Sequence, residues 1–359
     1  MNFSLPFLSV DRDIETTVVL LKLITANAAL AELKGLVRTI PNESILINTL
    51  ALQEAKGSSE IENIITTQDE LFRSDAASQI FETAAAKEVY AYVSALLQGF
   101  QDVKTNGLLT NSLILKIQEI LEENAAGFRK LPGTSLKNDA TGEVIYQPPQ
   151  DAQEIVELMR DLERFINEDS LCNWHPLTKM AVIHHQFESI HPFYDGNGRT
   201  GRIFNILYLV KQGLLDIPVL YLSRYINKNK TDYYRLLQSV RDCGDWEVWI
   251  LFKLDGVEIT SRQTISLVQQ IRTLMQVTKV RLRSELPKLY SQDLLNNLFR
   301  HPYTKNDFVM KELQVSRQTA AKYLGELVSI GLLEKHKVAR ENFYLNAPLY
   351  ELLLNAGSG

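Results

Sequence analysis

The twelve residues His191-Pro192-Phe193-Tyr194-Asp195-Gly196-Asn197-Gly198-Arg199-Thr200-Gly201-Arg202 concentrate groups that handle phosphates. Gly196 and Gly198 allow backbone conformations that side chains resist, so consecutive N–H groups can converge on phosphate oxygens. Arg199 and Arg202 are three apart and share a helix face, from which guanidiniums can grip neighbouring phosphates. Asn197 offers an amide to another phosphate oxygen. Asp195 suits Mg2+, which is held by one or two carboxylates beside substrate phosphates. His191 titrates near neutral pH and is the candidate base. Taken singly, a Gly-x-Gly is an ordinary turn, a helix-end histidine a structural group, and two spaced arginines a solvated face. Their conjunction in this order points to a phosphate site. A zinc site from His184, His185 and His191 is disfavoured, because adjacent histidines project to different sides of a helix and no histidines are four apart.

These residues need elements to position them. Upstream, Met180, Ile183, Phe187 and Ile190 recur at helical spacing; downstream, Ile203, Ile206, Leu207 and Val210 form a second stripe that ends near Gly213. The segment is therefore a helix–loop–helix whose loop opens on a helix N-terminus, where the dipole favours an anion. Most of the remaining chain carries the same periodicity and reads as mainly α. Residues 1–105 form a helical region that includes LLKLITANAALAELKGL and SILINTLALQEAKGSSEIENIITT. Residues 106–260 hold the phosphate motif and one hairpin signal over 132–149, where Thr141-Gly142 lies between short extended stretches. Residues 261–285 read as a charged helical connector.

Residues 286–352 form a compact tail with a helix-turn-helix cadence. Phe308, Val309 and Leu313 line one helix; Ser316 caps the next, which Ala320, Tyr323, Leu324, Leu327 and Val328 line; LLEKHKVARENFYL (332–345) makes a wing. Residues 286–345 carry a net charge of +3 inside an acidic chain, and Arg317, Gln318, Thr319 and Lys322 could face a DNA major groove.

Composition bounds the possibilities. The 359 residues suggest two or three domains at roughly 150 residues each. A net charge of −5 argues against a wholly basic nucleic-acid coat protein, and 45% hydrophobic with 23% charged residues excludes a disordered chain. Two cysteines, Cys172 and Cys243, exclude a disulfide framework or a four-cysteine zinc site and fit a reducing compartment. The N-terminus has no secretory pattern, and no apolar run is long enough to span a membrane, so a cytoplasmic location is expected. The final AGSG reads as a flexible tail.

HPFYDGNGRTGR resembles the signature of the Fic family, His-x-Phe-x-(Asp/Glu)-Gly-Asn-Gly-Arg-x-x-Arg, at every fixed position. The hairpin ending EVIYQPP resembles the family's flap. Ser58-Ser59-Glu60-Ile61-Glu62-Asn63 matches its inhibitory motif, (Ser/Thr)-x-x-x-Glu-(Gly/Asn). The resemblance extends over nearly the whole chain, to the class with an inhibitory helix N-terminal to the core and a winged-helix tail. It implies a Fic helical core with a β-hairpin flap, and transfer of AMP from ATP to a Ser, Thr or Tyr hydroxyl of a target protein or of the chain itself, with release of pyrophosphate. It gives His191 the base role and Asp195 the Mg2+. Gly196, Asn197, Gly198, Arg199, Thr200, Gly201 and Arg202 become the phosphate cradle, and Phe193 the anchor of the loop. Glu143, Val144, Ile145 and Tyr146 would pin the target's main chain. Tyr233 and Tyr234 resemble a tyrosine pair near the adenine pocket and read equally well as core aromatics. Glu62 would pair with Arg202 and block the γ-phosphate position, with Ser58 and Asn63 beside it. A homodimer fits the family. Two other readings compete: a nucleotide-sensing regulator that binds DNA through the tail, and removal of AMP rather than its transfer.

Overall fold

The computed structural model describes residues 8, 13–76, 81, 83–137, 141–338 and 341–358. In chain order the elements are α1 (Thr17–Val37), α2 (Glu43–Ile61), α3 (Gln68–Ala76), α4 (Ala84–Asn106), α5 (Asn111–Glu122), β1 (Leu136–Lys137), β2 (Val144–Tyr146), α6 (Ala152–Asn167), α7 (Pro176–Ile190), α8 (Asn197–Lys211), α9 (Ser223–Lys228), α10 (Lys230–Cys243), α11 (Trp246–Glu285), α12 (Gln292–Arg300), β3 (Tyr303–Thr304), α13 (Asn306–Leu313), α14 (Arg317–Ser329), β4 (Glu334–Val338), β5 (Glu341–Leu345) and α15 (Ala347–Ser358).

Local chemistry sets many of these boundaries. Thr16, Asn42, Thr83, Thr110, Asp151, Ser291 and Ser316 each accept a backbone N–H in the first turn of the helix that follows. Pro176 sits at the start of α7, where no N–H is needed. Gly107 and Gly244 end α4 and α10 in the left-handed conformation.

The core is built around α7 and α8, the two helices that flank the phosphate motif. Every residue of α7 from Leu177 to Ile190 is buried, as is nearly all of α8 from Asn197 to Leu209. Helices this enclosed hold the loop between them rigidly. Trp249 of α11 is fully buried and donates its indole N–H to the Ala181 carbonyl at 2.9 Å, which locks α11 to α7. Helix α1 packs along α11, while α4 and α5 pack against each other and against α8.

The stretch read as a connector, 261–285, is the second part of one 40-residue helix that starts at Trp246. At 1.5 Å per residue this helix is about 60 Å long, and its buried face continues from Trp249 to Leu282 without a break in character. Beyond it, α12 packs on α13 and α13 on α14, and a three-stranded antiparallel sheet runs in the order β3-β5-β4, with β4 and β5 paired from Glu334 opposite Leu345 to Val338 opposite Glu341. Ser316 caps α14 as expected, with Thr319 N–H at 3.2 Å. The tail expected to be flexible is helical through Ser358, and Gly359 lies outside the described residues.

Helix α2, which carries the Ser58–Glu62 motif, is held from several sides. Arg300 of α12 donates to Ser44 Oγ at 2.9 and 2.6 Å, and Gln53 donates to the Leu353 carbonyl of α15 at 3.1 Å. The buried Glu54 carboxylate accepts from Tyr92 of α4 at 3.0 Å and from both the hydroxyl and the N–H of Ser223 at the start of α9.

Candidate active site

The loop between α7 and α8 begins at a strained residue. His191 has φ +49° and ψ +59°, a left-handed conformation rare without glycine and a mark of functional sites. Its backbone N–H still closes the last turn of α7, on the Phe187 carbonyl at 2.9 Å. Burial first, and then the guanidiniums of Arg129 and Arg241, pull its pKa down to about 4. The imidazole is therefore neutral at physiological pH and able to accept a proton.

The loop is fixed by contacts that sequence reasoning missed. Arg129, only 1% exposed, donates Nε to the His191 carbonyl at 2.7 Å and Nη2 to the carbonyls of Ile190, at 3.3 Å, and Pro149. The Arg129 N–H also donates to the Pro192 carbonyl at 2.8 Å. The Tyr194 hydroxyl accepts the N–H groups of Lys130 at 2.9 Å and Leu131 at 3.0 Å. Phe193 is fully buried against Phe128 and Phe187, the anchoring position expected for it.

Asn197 behaves differently from the expectation. Its Oδ1 accepts the Phe193 N–H at 2.8 Å and its Nδ2 donates to the Phe193 carbonyl at 2.9 Å. The amide is spent on closing the loop. Gly196 takes φ +78°, and α8 starts directly after it. Thr200 and Gly201 lie on the first turns of α8, in its buried part. Thr200 is buried, and a side chain at Gly201 would meet Glu188 at 2.8 Å and Phe187 at 3.1 Å, so this glycine lets α8 approach α7. Asp195 is exposed at the rim, with one oxygen accepting the Gly196 N–H at 2.7 Å.

The two arginines are both buried and both paired. Arg202 donates Nε to Ser58 Oγ at 2.7 Å, and Nη2 to the Ser58 carbonyl at 3.0 Å and to Glu62 Oε1 at 2.7 Å. Burial alone would lower the Arg202 pKa, but Glu62 reverses this and raises it. Burial alone would raise the Glu62 pKa, and Arg202 holds it below the ordinary value. The pair is therefore charged at neutral pH. A methyl group built on Gly198 would meet Glu62 Oε1 at 2.3 Å, so the carboxylate lies directly on this part of the cradle. Arg199 donates to Glu88 at 2.9 Å and to Glu122 at 2.8 Å.

Glu62 caps the C-terminus of α2, and Asn63 follows at φ +63°. Neighbouring elements hold this turn. Lys230 donates to the Ile61 carbonyl at 2.6 Å and to Asn63 Oδ1 at 3.4 Å, and Asn227 donates to Glu60 at 3.0 Å.

The hairpin forms β1 and β2 in antiparallel pairing, with Leu136 opposite Tyr146. Its tip, 138–140, lies outside the described residues. Glu143, Val144 and Ile145 are exposed, whereas Tyr146 turns inward and donates its hydroxyl to the Ser189 carbonyl at 2.9 Å, with Arg241 stacked over its ring at 3.8 Å. The tyrosine pair divides. Tyr233 is fully buried, bonds His184 at 2.8 Å and packs on Trp249, which makes it a core aromatic. Tyr234 is half exposed and lines an open groove of about 440 Å³ with Ile145 and Cys243. His184 and His185, weighed above as zinc ligands, are committed to the core through Tyr233, Asn205 and the Leu237 carbonyl.

The fold agrees with what sequence comparison finds. Residues 20–101 match the Fic/DOC family N-terminal model, residues 108–209 the Fic/DOC family model, and residues 274–349 the C-terminal domain of SoFic-like protein adenylyltransferases. The chain belongs to the Fic family. Relatives named protein adenylyltransferase Fic include those of Drosophila erecta, 31% identical, and Drosophila yakuba, 34% identical, each over 123 residues, or 33% of this chain and 23% of the fly protein. The chain thus spans about a quarter of the length of the curated relatives it matches. Among solved structures, a Fic family protein from Desulfovibrio desulfuricans G20 superimposes with a TM-score of 0.57 at 19% identity, covering 95% of this chain and 98% of that one. A Fic domain containing signaling protein from Bacteroides thetaiotaomicron VPI-5482 superimposes at 0.55 with 18% identity, over 68% of this chain and 95% of that one. Among the described residues, no helix is long and apolar enough to cross a membrane.

Proposed function

We propose that the chain transfers AMP from ATP to a Ser, Thr or Tyr hydroxyl of a protein, and that the arrangement described above is its self-restrained state. One observation carries this reading: Glu62 occupies, against Arg202 and over Gly198, the place that an anionic phosphate would take. A site built to bind a phosphate group accepts a carboxylate in the same position for the same electrostatic reasons.

The reaction then uses groups already in place. Neutral His191 accepts the proton of the incoming hydroxyl. The hydroxyl oxygen bonds to the α-phosphorus, and the bond from that phosphorus to the bridging oxygen breaks, releasing pyrophosphate. Arg199, Arg202 and the N–H groups of Gly196–Gly198 hold the phosphates and offset the charge on the leaving group. Such transfers depend on positioning and charge neutralisation more than on covalent help. Asp195 fits a Mg2+ site, since it is an exposed carboxylate at the rim of the phosphate cradle. When bound, Mg2+ would neutralise phosphate charge. The exposed Val144 and Ile145 of the flap suit addition of an extended segment of the target. The target itself, the chain's own hydroxyls and a second copy of the chain are the acceptors to examine. On α14, Arg317, Gln318 and Lys322 are exposed, which supports a further proposal that this face contacts DNA.

ATP labelled at the α- or the γ-phosphate tests the reaction. Label in protein from the α position only, lost in His191→Ala, is the expected result. Label from the γ position would make the chain a kinase-like relative. Label from neither, in folded Glu62→Gly that binds ATP, would favour a nucleotide-sensing regulator.

A further inference from the structure

The Arg199 end of the cradle holds a second carboxylate. Glu122, the last residue of α5, places Oε1 2.8 Å from Arg199 Nη2, with Glu88 Oε2 at 2.9 Å from Nη1. A methyl group built on Gly196 would meet Glu122 Oε1 at 2.2 Å. Glu122 therefore covers Gly196 as Glu62 covers Gly198. Its side chain is only 11% exposed and, with Glu88, Asp195 and Arg199, lines a cavity of about 320 Å³.

The position is an unfavourable one for a carboxylate. Glu122 ends a helix, where the dipole repels negative charge, and the next residue, Glu123, takes a left-handed conformation at φ +51°. Burial, and then the like charges of Asp195, Glu88 and Glu62, push the Glu122 pKa up against the pull of Arg199. What offsets this cost is Arg199 together with the N-terminus of α8, the same features that would bind phosphate.

We propose that Glu122 is a second internal anion of the cradle, so that nucleotide entry displaces two carboxylates: Glu62 at the Arg202 end and Glu122 at the Arg199 end. The inference rests on the reading of the cradle as an ATP site. It gives the two glutamates different signatures. Glu62 opposes the outermost phosphate, so its removal acts on ATP. In the register that the family resemblance implies, Arg199 takes the β-phosphate, which ADP also has, so removing Glu122 acts on ADP and ATP alike.

The test uses the full chain with Mg2+ and compares wild type, Glu62→Gly, Glu122→Gln and the double variant, with ADP and ATP affinities measured by calorimetry and KM and kcat measured for AMP transfer. Glutamine keeps the size of the side chain and a hydrogen-bond acceptor for Arg199 while removing the charge. The expected result is ADP binding about tenfold tighter on Glu122→Gln in either background, the scale of one close charge repulsion in a partly buried site. In the Glu62→Gly background KM for ATP falls by a similar factor and kcat changes less. Glu122→Ala shows the same sign. Unchanged or weaker ADP binding, or a fall in kcat that exceeds the fall in KM, overturns the proposal and makes Glu122 a residue that orients Arg199. If Glu62→Gly transfers AMP while Glu122→Gln has no effect, the second anion alone is wrong. If no variant binds either nucleotide, the ATP reading falls and takes this proposal with it.

Discussion

Glu62 and Arg202, 140 residues apart in the chain, meet at 2.7 Å in the interior, and Ser58 one turn earlier on α2 holds the same guanidinium through its hydroxyl and its carbonyl. The arginine is 2% exposed and the glutamate 36%, so the pair lies at the edge of the core with its acidic member toward the opening. An ion pair at such an edge is strong enough to hold an arginine and close enough to solvent to be exchanged for another anion.

Ser58 separates the two halves of this lock. In Ser58→Ala the Arg202 Nε loses its acceptor while Glu62 stays in place. Stability should fall by about 1–2 kcal/mol, as for a hydrogen bond to a buried charged group, and AMP transfer should rise above wild type but stay below Glu62→Gly. Thermal melts and α-label incorporation check both. Activity at the wild-type level with unchanged stability would show that Ser58 does not restrain Arg202.

Arg129 is expected to be indispensable to the loop without touching the nucleotide. Arg129→Met leaves the buried carbonyls of His191 and Ile190, and that of Pro149, short of donors. A loss of about 3 kcal/mol in denaturant unfolding is expected, along with a large drop in kcat as His191 loses its fixed position. Arg129→Lys should not restore activity, because one ammonium cannot reach three carbonyls set around a planar fork. Full activity in Arg129→Met would contradict this role.

The pKa of His191 gives a pH prediction with a definite sign. The group is a base whose pKa is lowered to about 4, so the neutral, proton-accepting form persists as pH falls and is lost only near that value. Removing Glu62, which favours the charged imidazole, pushes the pKa further in the same direction. The kcat/KM profile of Glu62→Gly, which reports the free enzyme, should therefore show no acid limb near about 6.5, the ordinary imidazole value. A limb centred there would place His191 in a more exposed, less cationic setting than the one described.

Much of the fold could be read from local pattern. The stripes at Met180–Ile190 and Ile203–Val210 became α7 and α8, and Ser316 caps α14 where the turn was expected. The hairpin signal at Thr141-Gly142 became β1 and β2. The contiguous phosphate motif was visible for the same reason, since its residues are neighbours in sequence. What was not legible depends on distance along the chain. Arg129 reaches 62 residues forward and Glu122 reaches 77 to their partners in the site, and nothing in either neighbourhood marks the pairing. Residue type alone did not show that the Asn197 amide closes its own loop, or that Tyr233 and Tyr234, successive on one helix, point to different surroundings. Gly201 fits the motif and also lets α8 approach α7. The helical reading of 261–285 matches the structure, but no break marks 261, because a charged exposed face does not interrupt a helix whose other face stays buried.

The most direct test of the central claim is AMP transfer by Glu62→Gly beside wild type, with α-labelled ATP, Mg2+ and equal amounts of folded protein. Releasing Arg202 should raise incorporation at least about tenfold, the effect of roughly 1.4 kcal/mol at the transition state, and adding His191→Ala should abolish it. Equal or lower incorporation in folded Glu62→Gly that binds ATP would contradict the account, since the carboxylate on Arg202 would then not be what restrains the reaction.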